Sequence, residues 1–140
     1  MNATPLLAGD NFRAQCQGGN EVPSVDSNGQ CQANFKLLDN GAGLQYRLIV
    51  ANIEAVTQAH IHLAPAGQNG GVVAFLFGFV PEGETVNGML AQGVLTDSDL
   101  IGALAGMTIA DLVAELEKGD AYVNVHTQSI PSGEVRGQIH

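Results

Sequence analysis

His60-Ile61-His62 puts two imidazoles at alternate positions, and alternate residues of a β-strand leave from the same face, so the pair stands side by side. At roughly 3.3 Å rise per residue their Cα atoms are about 6.6 Å apart, a span that two ring nitrogens can close around one metal ion. In Tyr122-Val123-Asn124-Val125-His126, the valines mark the core face of another strand, and His126 leaves by the opposite one. If the two strands are neighbours, His126 completes a three-histidine site with His60 and His62. The alternative reading is that His60 and His62 are ordinary surface residues on a solvated strand face. His140 at the chain end is expected to be exposed and remote from the site, or the stump of a purification tag.

Other chemistry finds few parts. Ser98, Ser129 and Ser132 lie in no nucleophile-elbow context, and neither cysteine has an adjacent base. The run Gly67-Gln68-Asn69-Gly70-Gly71 reads as a turn rather than a phosphate-binding loop.

Strands must hold these histidines, and the punctuation of the chain supplies them. Gly-, Asn- and Asp-rich turns recur at short intervals, with β-forming or alternating segments between them at 11–17, 29–38, 43–51, 57–63, 72–77, 86–95, 120–127 and 134–139. Asn40-Gly41 between two such runs is a strong hairpin signal. Thr96-Asp97-Ser98-Asp99 reads as a capped helical turn, and Thr108 caps a clearer helix over 109–118. There Ile109, Leu112, Val113 and Leu116 form one apolar stripe, and Gly119 supplies the C-terminal glycine. The expected fold is all-β with one or two short helices, an antiparallel Greek-key β-sandwich.

The terminal hairpin fixes a register. Val123 and Val125 face the core, as do Val135 and Ile139, so paired numbers sum to 260. That sets Asn124 opposite Arg136, Tyr122 opposite Gln138 and His126 opposite Glu134. Glu134 then becomes a candidate to accept from the distal nitrogen of His126, or to act as a fourth ligand, with an ordinary exposed glutamate as the alternative.

With 140 residues and 45% hydrophobic content, the chain suits one domain over 11–140 behind an N-terminal tail, 1–10. Five Lys+Arg against 14 Asp+Glu give a net charge of −9, which argues against a nucleic-acid partner. No apolar run approaches the ~20 residues of a membrane helix, so no membrane insertion is expected. The first ten residues lack a basic n-region and a long apolar core, and are read as what remains after processing. Cys16 and Cys31 allow a single pair: they fall in consecutive candidate strands, and form either a disulfide or two buried thiols. A bridge would imply an oxidising compartment.

Taken in order, Gly19-Asn20-Glu21-Val22-Pro23, Ala59-His60-Ile61-His62 with Pro65-Ala66-Gly67-Gln68-Asn69-Gly70, Asp111-Leu112-Val113, and Gly119 through Thr127 continuing to Pro131-Ser132-Gly133-Glu134-Val135-Arg136-Gly137-Gln138-Ile139 resemble the CHRD domain, named from chordin and also found as a stand-alone secreted domain in bacteria. Leu63 departs from the glycine the family often carries there. The resemblance implies a β-rich extracytoplasmic domain, periplasmic or extracellular. More weakly, the His-x-His strand, the later lone histidine and the arginine near the C-terminus resemble fragments of the copper–zinc superoxide dismutase pattern, without its zinc loop. The expectation is therefore one copper ion, with zinc as the variant, bound by His60, His62 and His126. Arg136 would steer superoxide if the site turned over, and copper handling is the other role for the same site. The rival expectation is a metal-free extracellular domain that binds a protein partner.

Overall fold

The computed structural model describes residues 11–140, and the expected tail 1–10 lies outside them. The strands are β1 (Asn11–Gln17), β2 (Gln30–Leu37), β3 (Leu44–Ala51), β4 (Val56–Leu63), β5 (Val72–Gly78), β6 (Gly88–Leu95), β7 (Ala121–Thr127) and β8 (Val135–Gln138), with one α-helix, α1 (Ile109–Lys118), between β6 and β7. They form one antiparallel sheet in the order β5-β4-β7-β8-β1-β2-β3-β6, and the edge strands β5 and β6 approach each other so that the sheet nearly closes. The all-β expectation holds, and the two layers are halves of one rolled sheet. β8 returns to lie beside β1 ahead of the β1-β2-β3 meander, the long return of a Greek key.

Alternation decides which faces go inward. Phe12, Ala14 and Cys16 on β1 and Cys31, Ala33, Phe35 and Leu37 on β2 are buried, while the residues between them are largely exposed. Ile109, Leu112, Val113 and Leu116 of α1 join the same buried cluster. Thr108 and Asp111 cap the helix reciprocally, and Gly119 closes it at φ 76° in the left-handed region. The turn at Asp97–Asp99 is a 3-10 turn capped by Thr96, and Asp97 Oδ1 accepts from Ile109 N at 2.8 Å, tying it to the helix start.

Two strands break the alternation. β7 is buried at every position and β4 at all but two, because loops cover their outer faces as the core covers their inner ones. Asn69 Nδ2 donates to Val22 O at 3.0 Å, joining the segment after β1 to the β4–β5 loop across that outer face. The β7–β8 register is the expected one: Tyr122 with Gln138, Asn124 with Arg136, Val125 with Val135.

Cys16 and Cys31 stand directly opposite each other across β1 and β2, and they are bonded. The bridge closes a 15-residue separation and restricts the unfolded chain, which in the chain-entropy model is worth roughly 3 kcal/mol. Replacing both cysteines by alanine is expected to lower unfolding free energy by about that amount in urea titrations, and non-reduced peptide mapping should recover Cys16 linked to Cys31.

Candidate metal centre

His60 and His62 both leave β4 by its outer face, where β7 runs alongside, with His60 opposite Asn124 and Gln58 opposite His126. His126 is thus one diagonal step from His60. The ring centroids lie 4.8 Å apart for His60 and His126, 5.6 Å for His60 and His62, and 6.1 Å for His62 and His126. On the other side of β4, β5 carries register shifts between Ala59 and His60 and between Ile61 and His62, and these set the ring of Phe75 4.3 Å from that of His60.

Each imidazole is anchored through one nitrogen and bare at the other. His62 Nδ1 lies 2.9 Å from Gly70 O and His126 Nδ1 2.8 Å from Pro131 O. A carbonyl only accepts, so both rings carry their proton on Nδ1 and present an Nε2 lone pair. His60 Nε2 lies 3.1 Å from Gln58 Oε1, which leaves Nδ1 as the free acceptor. Those three remaining atoms, His60 Nδ1, His62 Nε2 and His126 Nε2, are buried without a hydrogen-bond partner. One ligand nitrogen from each ring lies within 4.8 Å of the others. Ligands held 2.0–2.1 Å from a tetrahedral ion sit about 3.3 Å from one another, so closure asks for shifts on the order of an ångström.

Electrostatics agree with the geometry. Burial, then the proximity of His126 and His62, lowers the pKa of His60 to about 3. Burial also lowers His62 and His126, against a smaller opposing effect from the carbonyls that accept their Nδ1 protons. All three are neutral at pH 7, the state a metal requires.

A buried polar network holds the anchors. The Tyr122 ring stacks on His62 at 4.8 Å and 8°, and its hydroxyl accepts from Gly70 N at 3.1 Å. The Arg136 guanidinium lies 4.0 Å from the centre of the Tyr122 ring. It also donates from Nε to Glu21 Oε1 at 3.2 Å, from Nη1 to Gln68 O at 2.9 Å, and from Nη2 to Asn69 Oδ1. Asn124 Nδ2 donates to Glu21 Oε2 and to Val135 O. Gly70 has no substitute, since a Cβ there would sit 1.8 Å from Leu63 O.

Two expectations are corrected. Arg136 is 5% exposed and paired with Glu21, so it is not free to steer an anion from solvent. Glu134 does not meet His126: its carboxylate accepts from Ser27 Oγ and Thr127 Oγ1, both at 2.7 Å, while the Pro131 carbonyl takes the place foreseen for it. His140 is exposed and hydrogen-bonds through its backbone to Arg13, away from the three histidines. Gln58, Gly70, Pro131 and Tyr122 carry no role that the sequence alone assigns, although Gly70, Pro131 and Tyr122 stand inside the family motifs.

The model of the family described as CHRD domain matches residues 12–139. Chordin of Xenopus laevis is 33% identical over 112 residues, covering 74% of this chain and 10% of that protein. Chordin of Danio rerio is 31% identical over 127 residues, covering 87% and 11%. The chain thus spans about a tenth of the length of these curated relatives. Neither match is a superoxide dismutase, and no solved structure gives a significant match.

An imidazole with a lowered folded pKa takes its proton first in the unfolded chain. The stability it contributes is fully present above the unfolded value of 6.5 and is lost as pH falls towards the folded value of about 3. Metal-free protein is expected to show a urea midpoint that falls through this window, and His60→Gln should flatten the slope. A slope unchanged by that substitution would contradict the assignment of His60 as buried and neutral.

Proposed function

This chain belongs to the CHRD domain family, and from that premise we propose that it is an extracytoplasmic metal-binding module whose His60, His62 and His126 hold one copper ion. The observation that carries the reading is the convergence of three bare, buried imidazole nitrogens whose ring partners are all anchored. An unsatisfied buried acceptor costs about 1–3 kcal/mol, and three pointing at one spot make sense where an ion satisfies them together. A metal-free interaction domain leaves those nitrogens unexplained. The Cys16–Cys31 bridge supports an oxidising compartment, the periplasm or the cell exterior.

Three neutral nitrogens with no thiolate suit copper or zinc, and at equal availability Cu²⁺ wins at nitrogen sites. Bound copper supplies a centre able to exchange one electron. Around it, Gln58, Gly70 and Pro131 orient the rings and fix their tautomers, as carbonyl partners do for ligating histidines. Phe75 and Tyr122 keep water from two sides of the histidine cluster. Binding and retention of the ion have more support than superoxide turnover, because Arg136, the cation beside the cluster, is already engaged by Glu21.

Calorimetric titration of metal-stripped, untagged protein with Cu²⁺ is expected to give one ion per chain, bound more tightly than Zn²⁺. His60→Ala, His62→Ala and His126→Ala should each weaken binding by about tenfold or more, the scale seen when a site's supporting contacts are lost. His140→Ala should leave it unchanged. Equal losses from His126→Ala and His140→Ala would sink the three-histidine assignment.

A further inference from the structure

The outer face of β1, β2 and β3, away from the histidines, is unlike the rest of this acidic molecule. Of the five basic side chains, Arg13, Lys36 and Arg47 project from it, and all three are exposed. The strand register sets Arg13 and Arg47 on either side of Asn34 in one row, with Lys36 two residues further along β2. At the usual strand spacing, Arg13 and Arg47 are roughly 10 Å apart and Lys36 stands about 7 Å from Asn34. Among the described residues the ion pairs are Lys118 with Glu115 and Arg136 with Glu21, so these three cations have no carboxylate partner there. None of the strands contributing to this face contains Asp or Glu.

Amides fill the remaining outward positions of β1 and β2, while Ile49 and Ala51 stand beside them on β3. Gln15 pairs with Gln32 and Gln17 with Gln30, and this end of the face is an open depression of about 580 Å³. A second depression of about 420 Å³ lies at the other end, among Asn11, Phe12, Arg13, Asn34, Phe35 and His140. The two depressions mark the ends of a strip, or trough, along β1 and β2, about 20 Å long over seven paired positions.

We propose that this trough binds a linear acidic polysaccharide. Charge complementarity selects a polyanion, and guanidinium groups match carboxylate geometry. The paired amides offer donors and acceptors in register to a hydroxyl-rich chain lying along the strands. Phe12 and Phe35, which also line the second depression, are buried at 6% and 2%, so the trough offers no exposed Trp, Tyr or Phe as the aromatic anchor of a protein hot spot or the stacking platform of a single-strand nucleic-acid site. This reading is independent of the metal.

The test is binding of the full chain to polygalacturonate, dextran sulfate, neutral dextran and poly-glutamate, by affinity electrophoresis and calorimetry. Binding to either acidic polysaccharide is expected, weakening as salt rises, with none to dextran. Binding to one acidic polysaccharide alone identifies whether carboxylate or sulfate is preferred. The exposed triple variant Arg13→Gln, Lys36→Gln, Arg47→Gln should keep the thermal midpoint and lose about tenfold or more in affinity. Gln15→Ala with Gln32→Ala, which leaves the charge intact, should weaken the polysaccharide severalfold. The proposal is overturned if neither acidic polysaccharide binds, if poly-glutamate binds as tightly, or if the triple variant binds like the parent.

Discussion

A guanidinium buried on the outer face of a sheet cannot stand there alone. An unpaired charge withdrawn from water costs several kcal/mol, and removing one member of a buried pair typically costs 3–5 kcal/mol. Arg136 therefore requires Glu21 from the segment after β1, and it also gathers Gln68 and Asn69 from the loop after β4. Burial pushes Glu21 up, while Arg136 and Asn124 pull it down, so its ionisation depends on keeping both partners. In drawing two loops over β4, β7 and β8, this one cation turns a half-solvated sheet into a face buried on both sides.

The dryness of the histidine cluster follows from that cover. His60, His62 and His126 are 4%, 8% and 7% exposed, although they project from the side of the sheet away from the core. Gly70 links the two systems: its carbonyl orients His62, its amide meets the Tyr122 hydroxyl, and its two predecessors are held by Arg136. Arg136 thus acts on the site chiefly through position, and its charge adds a smaller push that helps hold His62 neutral. Among the buried side-chain nitrogens and oxygens of the described residues, those without a partner are the three imidazole acceptors, the kind of conflict that marks a functional site.

Much of this was legible in the chain. Strict alternation in Gln30 to Leu37, the Thr108 and Gly119 helix signals, and the valine faces of β7 and β8 each follow from side-chain geometry over a few residues. The adjacency of β4 and β7 that brings His126 to His60 depends on how the sheet rolls, which no local pattern encodes. The same limit misplaced Glu134: register put it beside His126, but its partner Ser27 lies 107 residues away in sequence. Arg136 looked free for the same reason, since Glu21 is 115 residues distant.

The place of β8 in the sheet has a temporal consequence. Among the described strands it is made last, yet it sits in the middle, with β7 on one side and β1 on the other. Until residues 135–138 emerge, β1 has an unpaired edge, Glu21 lacks its counter-charge, and β7 and β1 lack the strand that pairs with both. Synthesis of this domain must therefore be complete before cooperative folding can begin, and such wide-ranging pairings fold slowly.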